Sequence, residues 1–165
     1  MQVPTRRGEN QNRPQLDPYL TPEKFQELKD KLARLLDKRP GLAVEVKRLA
    51  EMGDFSENAG YQLAKGRLRG LNQRILDLEY QLKNAEIIST SGDGSRVQIG
   101  SVVTLESNGS QKTYRILGAA ETNPQSGVIS HNSPLGAALL RHYVGDTIEL
   151  SLSGQIKCFK ILKIE

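Results

Sequence analysis

The chain has 165 residues, a formal net charge of +4 and 37% hydrophobic residues, enough for one ordinary domain or two small ones. The charge is far from a histone-like balance, so it permits a nucleic-acid or protein partner without demanding one. A single cysteine, Cys158, excludes an internal disulfide, and no Cys/His cluster offers a zinc site. With no run approaching the roughly 20 apolar residues that cross a bilayer as a helix, a cytoplasmic, reducing setting is the plain expectation.

Residues 1–20 carry Arg6, Arg7, Glu9 and Arg13 among Asn, Gln and Pro, without an apolar stretch that would serve as a signal sequence. They are predicted to form a disordered basic tail. Thr21-Pro22-Glu23-Lys24 then starts a helix, with a hydroxyl cap, proline at the first helical position and a carboxylate in the first turn.

Apolar residues follow at Phe25, Leu28, Leu32, Leu35, Leu42, Val46 and Leu49, and again at Tyr61, Ala64, Leu68, Leu71, Ile75, Leu78, Leu82 and Ala85. Steps alternating three and four mark a coiled-coil seam. The two runs are mirror images about Phe55, matching Leu49 with Tyr61, Leu42 with Leu68 and Phe25 with Ala85, as an antiparallel hairpin requires. Residues 21–88 are therefore predicted to form that hairpin. Its first arm ends near Met52 at Gly53, and its second runs from about Ser56 to Ile88. Arms of about 25 residues would each rise roughly 37 Å. Arg39, facing Leu71, is the polar residue of the seam and precedes Pro40, where a kink is expected. Gly60, Gly66 and Gly70 lie off the seam. Each costs about 1 kcal/mol against alanine, and they are either tolerated weak points or places where another surface comes close.

Residues 89–94 read as a linker, after which the apolar period falls to two. Val97-Gln98-Ile99, 101–106, 112–117, 127–130, 146–152 and 156–164 are predicted strands, Asn108-Gly109 a hairpin turn, and Ser133-Pro134 the start of one short helix. The fold class expected is α+β: a helical coiled-coil hairpin, then a small antiparallel β-sheet domain over 95–165. Cys158 is expected in its core, His131 and His142 on the surface or in turns, and Asp146 in a turn entering a strand.

At the hairpin tip, Asp54 and Glu57 stand three apart at a helix start, on the same side of the turn. Two readings are open. In one they form a capping box on the second arm. In the other they complete a magnesium site on a second molecule, since Mg²⁺ is typically bound through one or two carboxylates plus substrate phosphate oxygens and water.

The stretch Gly53-Asp54-Phe55-Ser56-Glu57-Asn58-Ala59, with Tyr61 and Ala64-Lys65, resembles the tip signature of the bacterial Gre transcript-cleavage factors (GreA/GreB). The resemblance extends to Arg39-Pro40, Leu78-Glu79, Tyr114-Arg115-Ile116, the run Ser133 to Leu140, and Val144-Gly145-Asp146. It implies that the hairpin enters the secondary channel of RNA polymerase. There Asp54 and Glu57 would hold a Mg²⁺ shared with the polymerase and not bound stably alone, while Ser56 helps to position the reacting water or phosphate. The polymerase would then hydrolyse backtracked nascent RNA near its 3′ end. The second domain would be FKBP-like and dock on the outside of the polymerase. The chain would be an accessory factor rather than an enzyme alone, and a monomer.

Lys65, Arg67 and Arg69 would attract the extruded RNA through its phosphates, or form an ordinary charged helix face. Gly60 and Gly66 depart from the family pattern, which puts local rigidity and polymerase contacts in question more than the tip chemistry. Two alternatives share the architecture: a channel-binding inhibitor, and a structural hairpin with no polymerase partner. Direct DNA binding has the least support, because no helix-turn-helix or base-reading pattern is present.

Overall fold

The structure is a computed structural model that describes residues 17–52, 59–89, 94–152 and 155–165, with backbone alone at 152 and 155. Helix α1 spans Pro22–Glu51 and α2 spans Ala59–Lys83. The Thr21 hydroxyl accepts from the Lys24 amide at 3.2 Å, so the predicted cap is made. Every predicted apolar seam position is buried or half-buried, and Leu36, Val44, Leu63 and Leu76, off the seam, are exposed. Leu28, Leu32 and Phe25 of one arm pack in a single cluster with Leu78, Leu82 and Ala85 of the other, the partners that the mirror symmetry assigns. Arg39 differs from expectation. It is exposed while Leu71 is buried, so the charge leaves the seam instead of being desolvated within it. α1 continues through Pro40.

The base of the hairpin also departs from the sequence reading. Tyr19–Leu20, assigned to the tail, form strand β1, and Glu86–Ile87, assigned to the second helix, form strand β2; the two pair in parallel. The Glu86 amide donates to the Pro18 carbonyl at 2.7 Å and the Ile88 amide to the Leu20 carbonyl at 2.9 Å. Asn84 ends α2 by donating its side-chain amide to the Tyr80 carbonyl at 2.7 Å, and the adjoining β-branched Ile87 and Ile88 favour the extended chain that follows. Leu20 is fully buried against Leu28 and Leu78. The residues just before the first helix thus close the open end of the coiled coil.

Five further strands, β3 (Val102–Ser107), β4 (Ser110–Leu117), β5 (Val128–Ser130), β6 (Thr147–Leu152) and β7 (Gln155–Ile164), form one sheet in the order β5-β4-β3-β7-β6. Helix α3, Pro134–Leu139, packs against it and is capped by Ser133, whose hydroxyl accepts from the Gly136 amide at 3.0 Å. Val103, Leu105, Ile116, Leu139, Ile148, Phe159 and Ile161 are core residues. Asn108 and Gly109, at φ 52° and 74°, make the predicted tight turn between β3 and β4.

Three details differ from expectation. β5 runs parallel to β4, so the sheet is mixed rather than wholly antiparallel. Val97-Gln98-Ile99 forms no strand; buried Val97 is held by the Arg141 and His142 backbone instead, at 2.9 and 2.8 Å. Cys158 is exposed, not core. Phe159 and Ile161 fix the inward face of β7, which turns Ile156 and Cys158 outward. A register shift between Thr104 and Leu105 then brings Ile164 back to the core opposite Val103.

The two parts meet where Asp17, Tyr19 and Thr21 lie against the loop after β4. The Asp17 carboxylate accepts from the Tyr19 and Ala119 amides at 3.1 and 2.7 Å. Glu121 accepts from the Thr21 amide at 2.8 Å and from its hydroxyl at 2.6 Å. A Cβ on Gly118 would overlap the Tyr19 carbonyl, so only glycine admits this approach. His131, predicted as a surface or turn residue, is half-buried in this junction. Its ring meets Tyr19 edge-on at 5.2 Å, and its Nδ1 lies 3.3 Å from Asp17 Oδ2 without hydrogen-bond geometry.

Candidate functional site

The end of the hairpin far from the junction is set by where the helices stop. α1 ends at Glu51 and α2 begins at Ala59, bracketing the acidic motif. Asp54, Ser56 and Glu57 lie outside the described residues. The described part is the stem that carries them. Its seam persists towards the tip, with Val46, Leu49 and Tyr61 half-buried and Ala64 buried. At 30 and 25 residues, α1 and α2 rise about 45 and 37 Å.

The predicted cationic trio is divided by the helix period. Lys65 and Arg69, four apart, line one flank of α2 with Gln62 and Asn72. Arg67 lies on the other flank, beside Arg74 and the exposed Leu63. Arg74 was not singled out from the sequence, although its seven-residue spacing from Arg67, two helical turns, would have found it. The flanks meet over Gly66, and at Gly66 and Gly70 an added Cβ would touch nothing within 4 Å. Those glycines therefore leave a notch in the helix surface between long cationic side chains.

Charge on this stretch has one sign. From Ala59 to Leu76 the charged residues are Lys65, Arg67, Arg69 and Arg74, and acids resume only at Asp77. Across the hairpin the balance is mixed, with Lys47 3.9 Å from Glu51. Lys65 Nζ stands 5.6 Å from the centroid of the Tyr61 ring, so Tyr61 is a seam residue that also supports a cation from its face.

Among the described residues no group of three or more His, Cys, Asp or Glu side chains has the arrangement to hold a metal ion. Each histidine instead meets one carboxylate. His142 Nδ1 is 3.0 Å from Asp146 Oδ2, and that oxygen also accepts from the Tyr143 amide at 2.9 Å. The amide bond first, and His142 second, hold the Asp146 carboxyl below its usual range. The turn expected at Asp146 is thus pinned by its own carboxylate. It presents Tyr143 and Val144 to solvent, each more than half exposed.

Residues 18–87 match the family described as "Transcription elongation factor, N-terminal", and residues 92–165 the family "Transcription elongation factor, GreA/GreB, C-term". The Transcription elongation factor GreA of Thermomicrobium roseum is 38% identical over 78% of this chain and 83% of its own length. That of Sphingopyxis alaskensis is 37% identical over 87% of this chain and 92% of its own. Among solved structures, the GreA factor homolog 1 (Gfh1) of Thermus thermophilus is 30% identical, covering 88% of this chain and 97% of that one, with a TM-score of 0.40.

Proposed function

The chain belongs to the GreA/GreB family of transcription elongation factors, and from that premise we propose that it carries its acidic tip through the secondary channel of RNA polymerase and stimulates hydrolysis of backtracked RNA. The observation that supports this most is the placement of the motif. Asp54, Ser56 and Glu57 fall between two long helices whose seam stays packed to within about a turn of them, at the end opposite the β domain. A stiff stem of this kind suits delivery of a few side chains into a narrow site.

The donor set fits magnesium. Two carboxylates are hard oxygen ligands, but they fall short of the octahedral six, so the remainder must come from water, substrate phosphate and the polymerase. When bound there, the ion would activate water or stabilise the leaving oxygen in a two-metal hydrolysis. In this reading the chain's own residues have limited tasks. Asp54 and Glu57 ligate, Ser56 orients the water or phosphate by a hydrogen bond, and the β domain holds the factor on the polymerase surface. The chain acts as an accessory factor in the cytoplasm, and the scissile bond and first metal belong to its partner.

Lys65, Arg67, Arg69 and Arg74 would attract the displaced RNA from two flanks of α2. The gain falls as salt rises, because it comes from phosphate neutralisation.

RNA polymerase complexes stalled in a backtracked state, with labelled RNA, test the reading. The parent chain should shorten the RNA from its 3′ end in a Mg²⁺-dependent manner, and Asp54→Asn/Glu57→Gln should not. Equal shortening by both would remove the tip acids from the chemistry. Slowed elongation with no shortening by the parent would make the chain a channel-binding inhibitor instead.

A further inference from the structure

The core face of the β domain carries two charges that its fold does not require. Alternation along β4 puts Lys112 on the same face as Tyr114 and Ile116, and along β7 it puts Lys157 on the same face as Phe159 and Ile161. The register sets Lys112 opposite Leu105 and Lys157 opposite Leu150. Both lysines are exposed because the cover over this face is short. α3 has six residues, a rise of about 9 Å, whereas the ten residues of β7 extend about 33 Å. Beyond Leu135 the face lies open as a cleft of about 380 Å³, floored by Leu105, Tyr114, Leu135 and Phe159 and edged by the two lysines.

We propose that this cleft is a docking site for an acidic peptide segment that inserts an aliphatic side chain between Lys112 and Lys157 and pairs its carboxylates with them. Among the described residues neither lysine has an ion-pair partner, so the rim offers uncompensated positive charge beside an apolar floor. The chain's own first 16 residues do not suit it, since they bear Arg6, Arg7 and Arg13 against Glu9. Single-stranded nucleic acid suits it less well than peptide. Phe159 is only 9% exposed and Tyr114 half-buried, so no open aromatic face is available for base stacking. The inference stands apart from the chemistry of the hairpin tip and from any cleavage assay.

The test uses the full chain and a fluorescein-labelled hexapeptide of two leucines set among aspartates and glutamates, beside a counterpart with lysines in place of the acids. The acidic peptide should raise the anisotropy and shift the Leu135 and Tyr114 side-chain resonances. Binding should weaken about tenfold in Lys112→Glu/Lys157→Glu and by less in Lys112→Gln/Lys157→Gln, with both variants keeping the parent's far-ultraviolet spectrum. Equal affinity for the two peptides, no binding of the acidic one, or undiminished binding by the Glu variant would overturn the proposal. So would a uridine oligonucleotide that shifts these resonances where the peptide does not.

Discussion

Thr21 shows how much one side chain does at the foot of the hairpin. Its hydroxyl accepts from the Lys24 amide and donates to Glu121, and its own amide donates to the same carboxylate. Thr21→Ala should therefore cost about 1 to 2 kcal/mol in chemical denaturation, towards the upper end for an N-cap because it also leaves Glu121 short of a partner. A loss below a few tenths of a kcal/mol would show the junction bonds to be unimportant. The sequence announced the cap through Thr21-Pro22 but not the partner, which lies 100 positions further along the chain. Cys158 failed as a core residue for a related reason. An apolar residue in a strand alternates on either face, and only the partners of β7 decide which face is inward.

Asp146 gives a second measurement at this scale, read against pH. Its carboxyl is held low by the Tyr143 amide and then by His142. A depressed acid favours the folded state wherever it is ionised in both states, and that contribution fades as pH falls from about 4 through its lowered value. The difference in thermal midpoint between the parent and Asp146→Asn should hence shrink as pH falls through that range. A difference that grows as pH falls would reverse the assignment.

At the scale of elements, the hairpin was the most legible part of the chain. A seam that is mirror-symmetric in sequence can close in essentially one register, and the clustered Phe25, Leu28, Leu32, Leu78, Leu82 and Ala85 follow it. Its ends were less legible. β1 and β2 have two residues each and exist through each other's backbone groups, which leave no periodic signal. The small sheet was read correctly as to most strands but not as to the parallel β5, whose three residues carry no mark of direction. Within α2, Gly66 and Gly70 make a direct prediction. Alanine at either position meets no atom within 4 Å, so Gly66→Ala/Gly70→Ala should stabilise the hairpin by about 1 kcal/mol per site, measured by urea unfolding followed by circular dichroism. Destabilisation would mean that the helix is strained there in a way the open surface does not reveal.

For the whole molecule, the stem and the β domain are joined by a junction of side-chain and backbone contacts in addition to the chain connection. Asp17, Thr21, Glu121 and the Gly118–Tyr19 approach hold the foot of the hairpin to the sheet. The motif that carries the proposed function, Asp54, Ser56 and Glu57, is compact in sequence and so could be singled out from the sequence alone. The cationic flanks were legible only in part, since Arg74 joins Arg67 through two turns of helix rather than through adjacency.

The proposed function divides the labour: the tip acids act on the RNA and the rest of the molecule binds the polymerase. Its most direct test is to measure polymerase affinity and stimulated RNA cleavage side by side for the parent, Asp54→Ala and Glu57→Ala. Each variant should lose cleavage by more than the roughly 10- to 100-fold that removing an outer-shell partner of a metal ligand costs, while its affinity stays within about threefold of the parent's, a change of under 1 kcal/mol. Parallel loss of affinity and cleavage in either variant would contradict it.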